Sequence, residues 1–332
     1  YLLTIRNRAS STRRLRVAPY FQMVLAGQAE FSGPLASRSD RDLSALFFEN
    51  PRNTFRTGPA FVAFSENTGL METNRGRFLG DGGDLARPFM VKRGEPAAGR
   101  SVDDRPIAAL LATFEIPANG ERSVVVLLGQ ADDHQRAEAT IRKLRTVEAA
   151  GQTLESTRAW WIGLMESLRV ETTEPEFDRY LGIWARRGFY QASGAYGFRD
   201  QLQDSLNLLW VDPAIARNQI LLHASQQFIE GDVVHWFHRL QDGRTGFVGR
   251  THASDNLLWL PWGVVEYLAA TGDHSILDER TPYLEAEQPF AALPRDKQGM
   301  GFDPLRSTLE DTVYRHCLKS IDLVLDHRMG SH

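Results

Sequence analysis

Cysteine is almost absent from this 332-residue sequence, which contains only Cys317. A single cysteine excludes an internal disulfide and a metal cluster built from cysteines alone, and its place among apolar residues at helical spacing predicts a buried structural thiol. No run of about 18 apolar residues occurs, so no segment is expected to span a membrane. The formal net charge is only -4, which excludes the strongly basic balance that is typical of nucleic-acid-binding proteins.

An initiator methionine and a signal-peptide pattern are also missing, because the chain opens on the strand-like stretch "YLLTIRNRAS". We therefore expect the sequence to be a fragment of a longer chain. What remains is an ordinary globular composition, with 42% hydrophobic and 24% charged residues. The length suggests about two domains of roughly 150 residues each.

Residues 1–131 have the pattern of a β-sandwich domain. Short apolar or alternating runs such as "LLTIRN" and "FVAFS" are separated by Gly, Pro, Ser and Asn, as expected for short strands joined by turns. Two longer apolar runs flank Asn119-Gly120, which predicts a type I′ hairpin. Many short strands without long helices indicate a sandwich.

From residue 132 onward the pattern becomes helical. Residues 132–172 are polar and favour helix, which predicts a helical linker rather than a core, and amphipathic helices follow over residues 173–332. Expected helix starts are Thr173 in a capping box with Glu176, Asp212 followed by Pro213, Ser254 or Asp255, and Thr308. Because no strand is predicted between these helices, they indicate an α/α toroid.

The stretch "QASGAYGFRDQLQDS", residues 191–205, is the first candidate site. Leu202 and Leu206 predict a helix that begins near Asp200, and Asp204 lies four residues later on the same face. The small residues before it would let the backbone approach a ligand closely. The alternative is that Asp200 only offsets the positive end of the helix dipole.

The second candidate site is the aromatic stretch over residues 230–259. His235 and His238 bracket Trp236 and Phe237, and Arg250, His252 and Asp255 follow. Two histidines at this spacing suggest zinc, but no third ligand follows at metal spacing. Aromatic rings among Arg, Asp and His suit a carbohydrate cleft better, while surface histidines in loops are the alternative. No metal site is expected.

A pair of arginines, Arg186 and Arg187, precedes the first candidate site. Paired guanidinium groups suit an oxyanion such as phosphate. A solvated helix end explains the pair equally well.

The stretch "RRGFYQASGAYGFRDQLQDSL" resembles glycoside hydrolase family 94, the inverting β-glucoside phosphorylases. "GRFLGDGGDLARP" and "IPANGERSVVVLLGQADD" look like the sandwich of the cyclic β-1,2-glucan synthase branch, and "EGDVVHWFHR", "RTHASDNLLWLPWGVVEYLAATGD" and "TVYRHCLKSIDLVL" look like its barrel helices. The resemblance covers nearly the whole chain. It implies a multidomain β + α fold with a β-supersandwich, a helical linker and the first part of an (α/α)6 toroid.

The resemblance also implies a chemistry, the phosphorolysis of β-linked glucosides to α-glucose 1-phosphate with inorganic phosphate as co-substrate and no cofactor. Sugar binding is expected from Tyr196, Arg199, Asp200, Gln203, Trp236, Arg250 and Asp255, and phosphate binding from Arg186 or Arg187. The family's general acid lies in a Gly-Asp-Trp-Asn-Asp motif that this sequence lacks. No catalytic residue is therefore assigned, and the acid is expected after His332.

Two other functions stay open at this point. One is a glucan-holding or chain-length module of a membrane-bound cyclic β-1,2-glucan synthase, and the other is an inverting toroid hydrolase with a second catalytic carboxylate. The expected partners are a β-glucoside or β-glucan and phosphate, without nucleic acid. A homodimer and a larger synthase are left open as assemblies. The expected location is cytoplasmic, or the cytoplasmic side of the inner membrane within a synthase.

Overall fold

The computed structural model describes residues 1–26, 33–53, 56–99, 105–167, 169–184, 196–253, 255–293 and 299–327. The chain divides into two compact units, Tyr1–Ala159 and Trp160–His332, and each is described by itself. No helix within the described ranges is both long and apolar enough to cross a bilayer.

The first unit is a β-sandwich, as predicted. Its strands are β1 (Leu2–Arg6), β2 (Arg13–Val17), β3 (Tyr20–Gln22), β4 (Ala36–Asp40), β5 (Ala45–Glu49), β6 (Ala60–Phe64), β7 (Leu70–Asn74), β8 (Pro106–Ile116) and β9 (Glu121–Gln130). One antiparallel sheet has the order β1-β9-β6-β5-β4, and in the other sheet β2, β3 and β7 each pair with β8. Two short helices, α1 (Arg75–Leu79) and α2 (Phe89–Arg93), follow β7.

Strand β8 is apolar on both faces because each face is covered. Ala108 and Leu110 belong to the core between the two sheets. Ile107 and Ala109 pack on the other side with residues of α1 and α2. A strand that is buried on both faces reads as a continuous apolar run, which explains the unbroken run in the sequence.

The type I′ hairpin predicted at Asn119-Gly120 is wrong. Strand β8 ends at Ile116 and β9 begins at Glu121, but the two strands lie in different sheets. Asn119 does adopt a φ of 53°, and the amide of Gly120 donates to the carbonyl of Pro117 at 3.0 Å. These residues form a tight turn that carries the chain from one sheet to the other.

Residues 132–172 contain two helices, α3 (His134–Leu144) and α4 (Val147–Glu166). Helix α4 has no buried residue, as expected of a polar linker. Helix α3 differs from the prediction, because Ala137 and Ile141 are fully buried in a core cluster with Phe47 and Phe61. The boundaries of a separate linker stay a prediction.

The second unit is rich in helices. They are α5 (Pro175–Arg179), which continues as a π-helical turn over Tyr180–Trp184, α6 (Phe198–Leu206), α7 (Pro213–Ala224), α8 (Trp259–Thr271) and α9 (Val313–His327). Helices α6 to α9 share one core that includes Leu202, Ile220, Val264 and Cys317. Cys317 is buried in this core, which confirms the predicted buried thiol, and burial raises its pKa to about 12. The (α/α)6 toroid stays a prediction.

The expectation that no strand separates these helices is wrong. The unit contains β10 (Tyr196–Gly197), β11 (Val234–Arg239), β12 (Thr245–Arg250), β13 (Arg280–Glu285), β14 (Gly299–Phe302) and β15 (Leu305–Thr312). Four of them form a sheet in the order β10-β11-β12-β14, and β13 pairs with β15. Register shifts interrupt three of these pairings, and such irregularities disturb the two-residue periodicity that marks a strand in sequence.

Two of the expected helix starts are confirmed. The carboxylate of Asp212 accepts a hydrogen bond from the amide of Ala214 at 3.2 Å, and Pro213 is the first residue of α7. Asp255 directly precedes the 3-10 turn Asn256–Leu258 that leads into α8. Both carboxylates lie where the positive end of a helix is exposed.

The other two expected starts are wrong. The capping box at Thr173 is absent, because α5 begins at Pro175 and Glu174 occupies the capping position without a side-chain bond. Proline is well suited to the first helical position. Thr308 lies inside β15, and α9 begins only at Val313.

Candidate functional site

The first candidate site is built at a junction between a short strand and a helix. Strand β10 pairs with β11, so that Gly197 lies opposite Trp236, and helix α6 begins at the next residue, Phe198. Phe198 is fully buried and its ring meets His223 edge-on at 5.0 Å. Burial lowers the pKa of His223 to about 4. The neutral ring of His223 therefore packs against Phe198, the first residue of α6.

Gly197 leaves room for Asp200 to fold back over the start of α6. A Cβ atom added at Gly197 would lie 2.7 Å from Oδ2 of Asp200, closer than real side chains allow. The side chain of Asp200 is 67% exposed. Its carboxylate therefore faces solvent at the positive end of the helix, where it is accessible to a ligand.

Arg199 connects Asp200 to a distant part of the chain. Its Nη1 atom donates to Oδ2 of Asp255 at 3.0 Å, and its Nε donates to Oδ1 of Asp200 at 3.3 Å. The hydrogen bond with Asp255 is the main reason why the pKa of Arg199 is raised. Partial burial raises the pKa of Asp255, but hydrogen bonds, first that from Arg199, bring it below its usual value. The structure thus brings three of the predicted sugar-binding residues together.

Asp204 is a further candidate that the sequence-derived sugar-binding set omits. It lies one turn after Asp200 on α6 and is half-buried. Burial, and then the charge of Asp200, raise its pKa. A carboxyl group with a raised pKa holds a proton more readily and can donate a hydrogen bond. The four-residue spacing between Asp200 and Asp204 was the signal in the sequence that could have identified Asp204. The burial of Asp204 could not be predicted from the sequence.

A partly exposed aromatic patch lies on the β11–β12 hairpin and consists of Trp236 and His238, which are half-buried, and the exposed Phe247. The ring of Trp236 lies 5.6 Å from that of His238 and 5.5 Å from that of Phe247. Phe247 is 53% exposed and adopts a φ of 45°. A Cβ atom on Gly249, opposite Trp236, would lie 2.6 Å from the indole Nε1. Glycine there keeps room for the indole, and the patch offers ring faces that suit the apolar face of a sugar.

The sheet links the aromatic patch to the start of α6. Gly197 pairs with Trp236 on one side, and Gly249 pairs with it on the other. Arg199 follows Gly197 by two residues. Charged and aromatic residues therefore lie on paired strands and on the helix that follows them, and this combination of residue types suits a carbohydrate.

The histidines of the aromatic stretch have separate protein partners. Nδ1 of His235 lies 3.2 Å from Oγ1 of Thr251, and Nε2 of His252 lies 3.0 Å from the carbonyl oxygen of Leu293. Within the described ranges, no three His, Cys, Asp or Glu residues are grouped so that they could hold a metal ion.

Arg250 does not fit the predicted role of a sugar ligand. It is 2% exposed, and its Nε and Nη2 form a double hydrogen bond with Asp232 at 2.7 and 2.8 Å. Nη2 also pairs with Glu230, Nη1 donates to the carbonyl of Gln288 at 2.6 Å, and the guanidinium lies over the ring of Phe228. Because all three nitrogens are engaged with protein acceptors, we expect Arg250 to stabilise the unit instead of binding substrate.

The remaining predicted residues are placed as follows. Gln203 is exposed on α6, four residues after Arg199 and on its face of the helix. The backbone of Tyr196 pairs with Phe237 in the sheet. Arg186 and Arg187, the predicted phosphate ligands, lie outside the described residues.

Replacing Arg199 with glutamine tests whether this ion-pair group serves binding or stability. Arg199 and Asp255 are 46% and 54% exposed, so we expect the free energy of unfolding to fall by no more than about 1 kcal/mol. Affinity for a β-linked oligoglucoside should fall at least about tenfold, because a charge-assisted hydrogen bond is lost. Denaturant unfolding and calorimetric titration of the full-length protein measure the two effects.

A matched control for this variant is Arg136→Gln. Arg136 pairs with Asp132 at 2.6 Å, and their side chains are 69% and 42% exposed. The control should cost a similar, small amount of stability and leave sugar affinity unchanged. Equal sugar affinities in the two variants would count against the Arg199 site.

Comparison with known proteins gives two family matches. The supersandwich domain of glycosyl hydrolase 94 matches residues 1–147, and the catalytic domain of the glycosyl hydrolase 94 superfamily matches residues 160–293. Together they cover most of the chain, in the order sandwich and then catalytic domain. The strand–helix junction and the aromatic patch both lie within the second match.

Several characterised proteins are similar to this chain. A cyclic beta-(1,2)-glucan synthase of Rhizobium meliloti (strain 1021) is 36% identical over 99% of the chain. A solabiose phosphorylase of Paenibacillus borealis is 24% identical over 86% of the chain, and a cellobionic acid phosphorylase of Neurospora crassa is 23% identical over 85%. The chain spans 12% of the length of the synthase and 37% of each of these phosphorylases.

Proposed function

The chain belongs to the glycosyl hydrolase 94 family, and on that premise we propose that it carries the sugar-binding part of an inverting phosphorylase site for β-linked glucosides. One observation supports this most directly: Arg199 joins Asp200 and Asp255 at the start of the helix that follows the strand paired with Trp236, within the part that matches the family's catalytic domain. Two phosphorylases among the relatives support the reaction type.

The proposed reaction is a single displacement at the anomeric carbon. An oxygen of inorganic phosphate forms a bond to C1 from the face opposite the leaving group, and the bond from C1 to the glycosidic oxygen breaks. The leaving oxygen takes a proton from a general acid. Because the attack inverts C1, a β-glucoside yields α-glucose 1-phosphate.

Within this reaction the described residues bind and orient the sugar. Arg199 donates hydrogen bonds to hydroxyl oxygens, and the carboxylates of Asp200 and Asp255 accept them from hydroxyl groups. Trp236 and Phe247 pack against the apolar face of a sugar ring. No described residue is assigned as the general acid. Phosphate binding by Arg186 or Arg187 is part of the proposal, and so are the cytoplasmic location and the absence of a cofactor.

A second function is favoured by a different observation. The chain is more similar to the cyclic glucan synthase, at 36% identity, than to the solabiose phosphorylase, at 24%. In that function the same groups would hold a growing β-glucan or set its length without cleaving it. The aromatic patch suits both functions, because ring stacking does not depend on cleavage.

Phosphate dependence is the experiment that tests the proposed function. The full-length protein is treated with a chelator and incubated with β-1,2- and β-1,4-linked oligoglucosides, with and without phosphate. We expect α-glucose 1-phosphate to form only when phosphate is present, and to form equally well after chelation, because phosphate is the nucleophile. Chromatography with phosphate detection measures the product.

The other outcomes each point to a different function. Free glucose released equally well without phosphate indicates a hydrolase, and activity lost on chelation indicates a metal site. Binding of the oligoglucosides without any cleavage, weakened by Asp200→Ala, indicates the glucan-holding function.

A further inference from the structure

A cavity of about 200 Å³ lies between the β11–β12 hairpin and the β13–β15 pair, and we call it the arginine cavity. Three arginines line it from three segments. Arg239 ends β11, Arg244 lies in the hairpin turn, and Arg306 is the second residue of β15. None of its lining residues belongs to the sugar site described above.

The arginine cavity carries an excess of positive charge. Arg244 donates from Nε to Oδ2 of Asp242 at 2.6 Å, and its two terminal nitrogens form no ion pair with the part of the chain that the structure describes. Within the described ranges, neither Arg239 nor Arg306 forms an ion pair. Asp242 offsets the charge of Arg244, so the positive charge that a bound anion would offset comes mainly from Arg239 and Arg306.

The floor of the cavity is fixed by hydrogen bonds before any ligand arrives. Gln226 is 3% exposed, and its Oε1 accepts a bond from the hydroxyl of Thr245 at 2.6 Å. Its Nε2 donates to Oγ of Ser225 at 2.8 Å. Leu222, Pro282, Leu284 and Pro304 form the apolar part of the wall. The cavity therefore combines a charged rim with a partly apolar interior.

Size and donor geometry decide which anion fits. The volume lies below the roughly 300–1,000 Å³ that is common for pockets holding drug-sized ligands, so a single small group fits and an oligosaccharide does not. Arg239, Arg244 and Arg306 line the cavity from three segments, so an anion with more oxygens and more charge can pair with more of them. A phosphate ester offers three oxygens and up to two negative charges, whereas a carboxylate offers two oxygens and one charge.

We propose that the arginine cavity binds a small phosphate ester, as a ligand site separate from the sugar site. Guanidinium groups bind phosphate oxygens through paired, charge-assisted hydrogen bonds. The proposal does not depend on phosphorolysis, since it assigns neither substrate nor nucleophile to the cavity.

Calorimetric titration of the full-length protein with glucose 6-phosphate tests this site. Glucuronate serves as the carboxylate counterpart with the same ring, glucose as the neutral one, and inorganic phosphate as the bare anion. We expect glucose 6-phosphate to bind more tightly than glucuronate and glucose. Arg239→Gln and Arg306→Gln should each weaken its binding roughly 10- to 100-fold, the effect of losing charge-assisted hydrogen bonds. Higher salt should weaken it as well.

Two control variants show whether the weakening is specific to the arginine cavity. Arg280→Gln removes an equal charge from β13, where Arg280 pairs with Glu310 at 2.9 Å, and it should change the affinity by less than about twofold because exposed ion pairs contribute little. Asp200→Ala should also leave the affinity for glucose 6-phosphate unchanged, since it alters the sugar site alone.

Four results would overturn the proposal. The first is that glucose 6-phosphate does not bind, and the second is that Arg280→Gln weakens its binding as much as Arg239→Gln and Arg306→Gln do. The third is that glucuronate binds more tightly than glucose 6-phosphate. The fourth is that Asp200→Ala abolishes binding of glucose 6-phosphate while Arg239→Gln and Arg306→Gln leave it unchanged. Thermal unfolding of each variant confirms that it is folded. Failure of phosphorolysis has no bearing on this test.

Discussion

Replacing Arg250 with methionine should lower the free energy of unfolding by about 3–5 kcal/mol, the usual cost of breaking a buried ion pair. Asp232 is 2% exposed and loses a double hydrogen bond in this variant. Glu230, which also accepts a bond from the amide of Phe290 at 2.8 Å, loses its cation. Urea unfolding monitored by circular dichroism measures the change.

Two further variants separate charge from shape at this position. Arg250→Lys keeps a positive charge but cannot form the double hydrogen bond, so we expect an intermediate loss of stability. Arg250→Met combined with Asp232→Leu should recover part of the loss, because the buried carboxylate of Asp232 is removed together with its partner. The matched control is Arg280→Met, whose pair with Glu310 is about half exposed and should contribute less than about 1 kcal/mol.

The Arg250 experiment also decides between the two roles considered for this residue. If Arg250 bound sugar, its replacement would lower the protein's affinity for sugar. The free energy of unfolding would then stay close to that of the natural protein. That result for Arg250→Met would restore the sugar-binding role and contradict the structural one.

Replacing Asp200 with alanine should reduce kcat/KM for a β-linked oligoglucoside roughly 10- to 150-fold. A hydrogen bond to a charged group is worth about 1.5–3 kcal/mol, and each 1.4 kcal/mol is a factor of ten. Because the side chain is 67% exposed, the variant should unfold within about 1 kcal/mol of the natural protein, the most that an exposed carboxylate at a helix start contributes. Steady-state kinetics and denaturant unfolding of the full-length protein measure both quantities.

Asp204 provides a second readout for the same variant. Its pKa is raised first by burial and then by the charge of Asp200. Removing Asp200 should therefore lower the pKa of Asp204 toward, but not to, its ordinary value. A carboxyl-selective NMR titration detects this shift, which also shows that the local structure is retained.

The control for Asp200→Ala is Asp322→Ala. Asp322 is exposed on α9, and its replacement removes the same charge outside the sugar site. Kinetics of Asp200→Ala equal to those of this control would exclude Asp200 from substrate binding.

In the first unit, the sequence predicted the class of structure but not the pairing of strands. The turn residues Asn119 and Gly120 do make a tight turn, yet β8 and β9 belong to different sheets. Turn chemistry is local, whereas β9 pairs with β1 and β6, which lie far away in sequence. The choice of partner depends on which faces can be buried together.

In the second unit, the short strands escaped prediction for a related reason. Strands β11 and β12 carry polar residues and register shifts, so neither has a clear two-residue period. Contacts such as that from Asn256 Nδ2 to the carbonyl of Val234, at 3.0 Å, help to hold them in place. Such contacts join residues 22 positions apart and leave no local pattern.

The candidate site shows the same division between residue type and environment. Asp200 and Trp236 could be selected from sequence, since their chemistry suits sugar and their neighbours are small or aromatic. The pairing of Arg199 with Asp255, which lies 56 residues later, could not be selected. The burial of Arg250 could not be predicted either, because an arginine that is buried with two carboxylates looks the same in sequence as one that faces a ligand.

By itself the sequence determined the order of a β-sandwich before a helix-rich unit, the buried thiol, and the choice of candidate sugar-binding residues between positions 196 and 255. These properties follow from local hydrophobic periodicity and residue chemistry. Both can be recognised from residues that are close in sequence, without knowledge of tertiary contacts. Only the tertiary structure decided which strands pair, that Arg199 joins Asp200 to Asp255, that Arg250 is buried against Asp232, and that three arginines line one cavity. These properties depend on burial and on contacts between segments that are distant in sequence. Burial and contacts determine whether a charged side chain pairs with protein groups, binds a ligand or is hydrated.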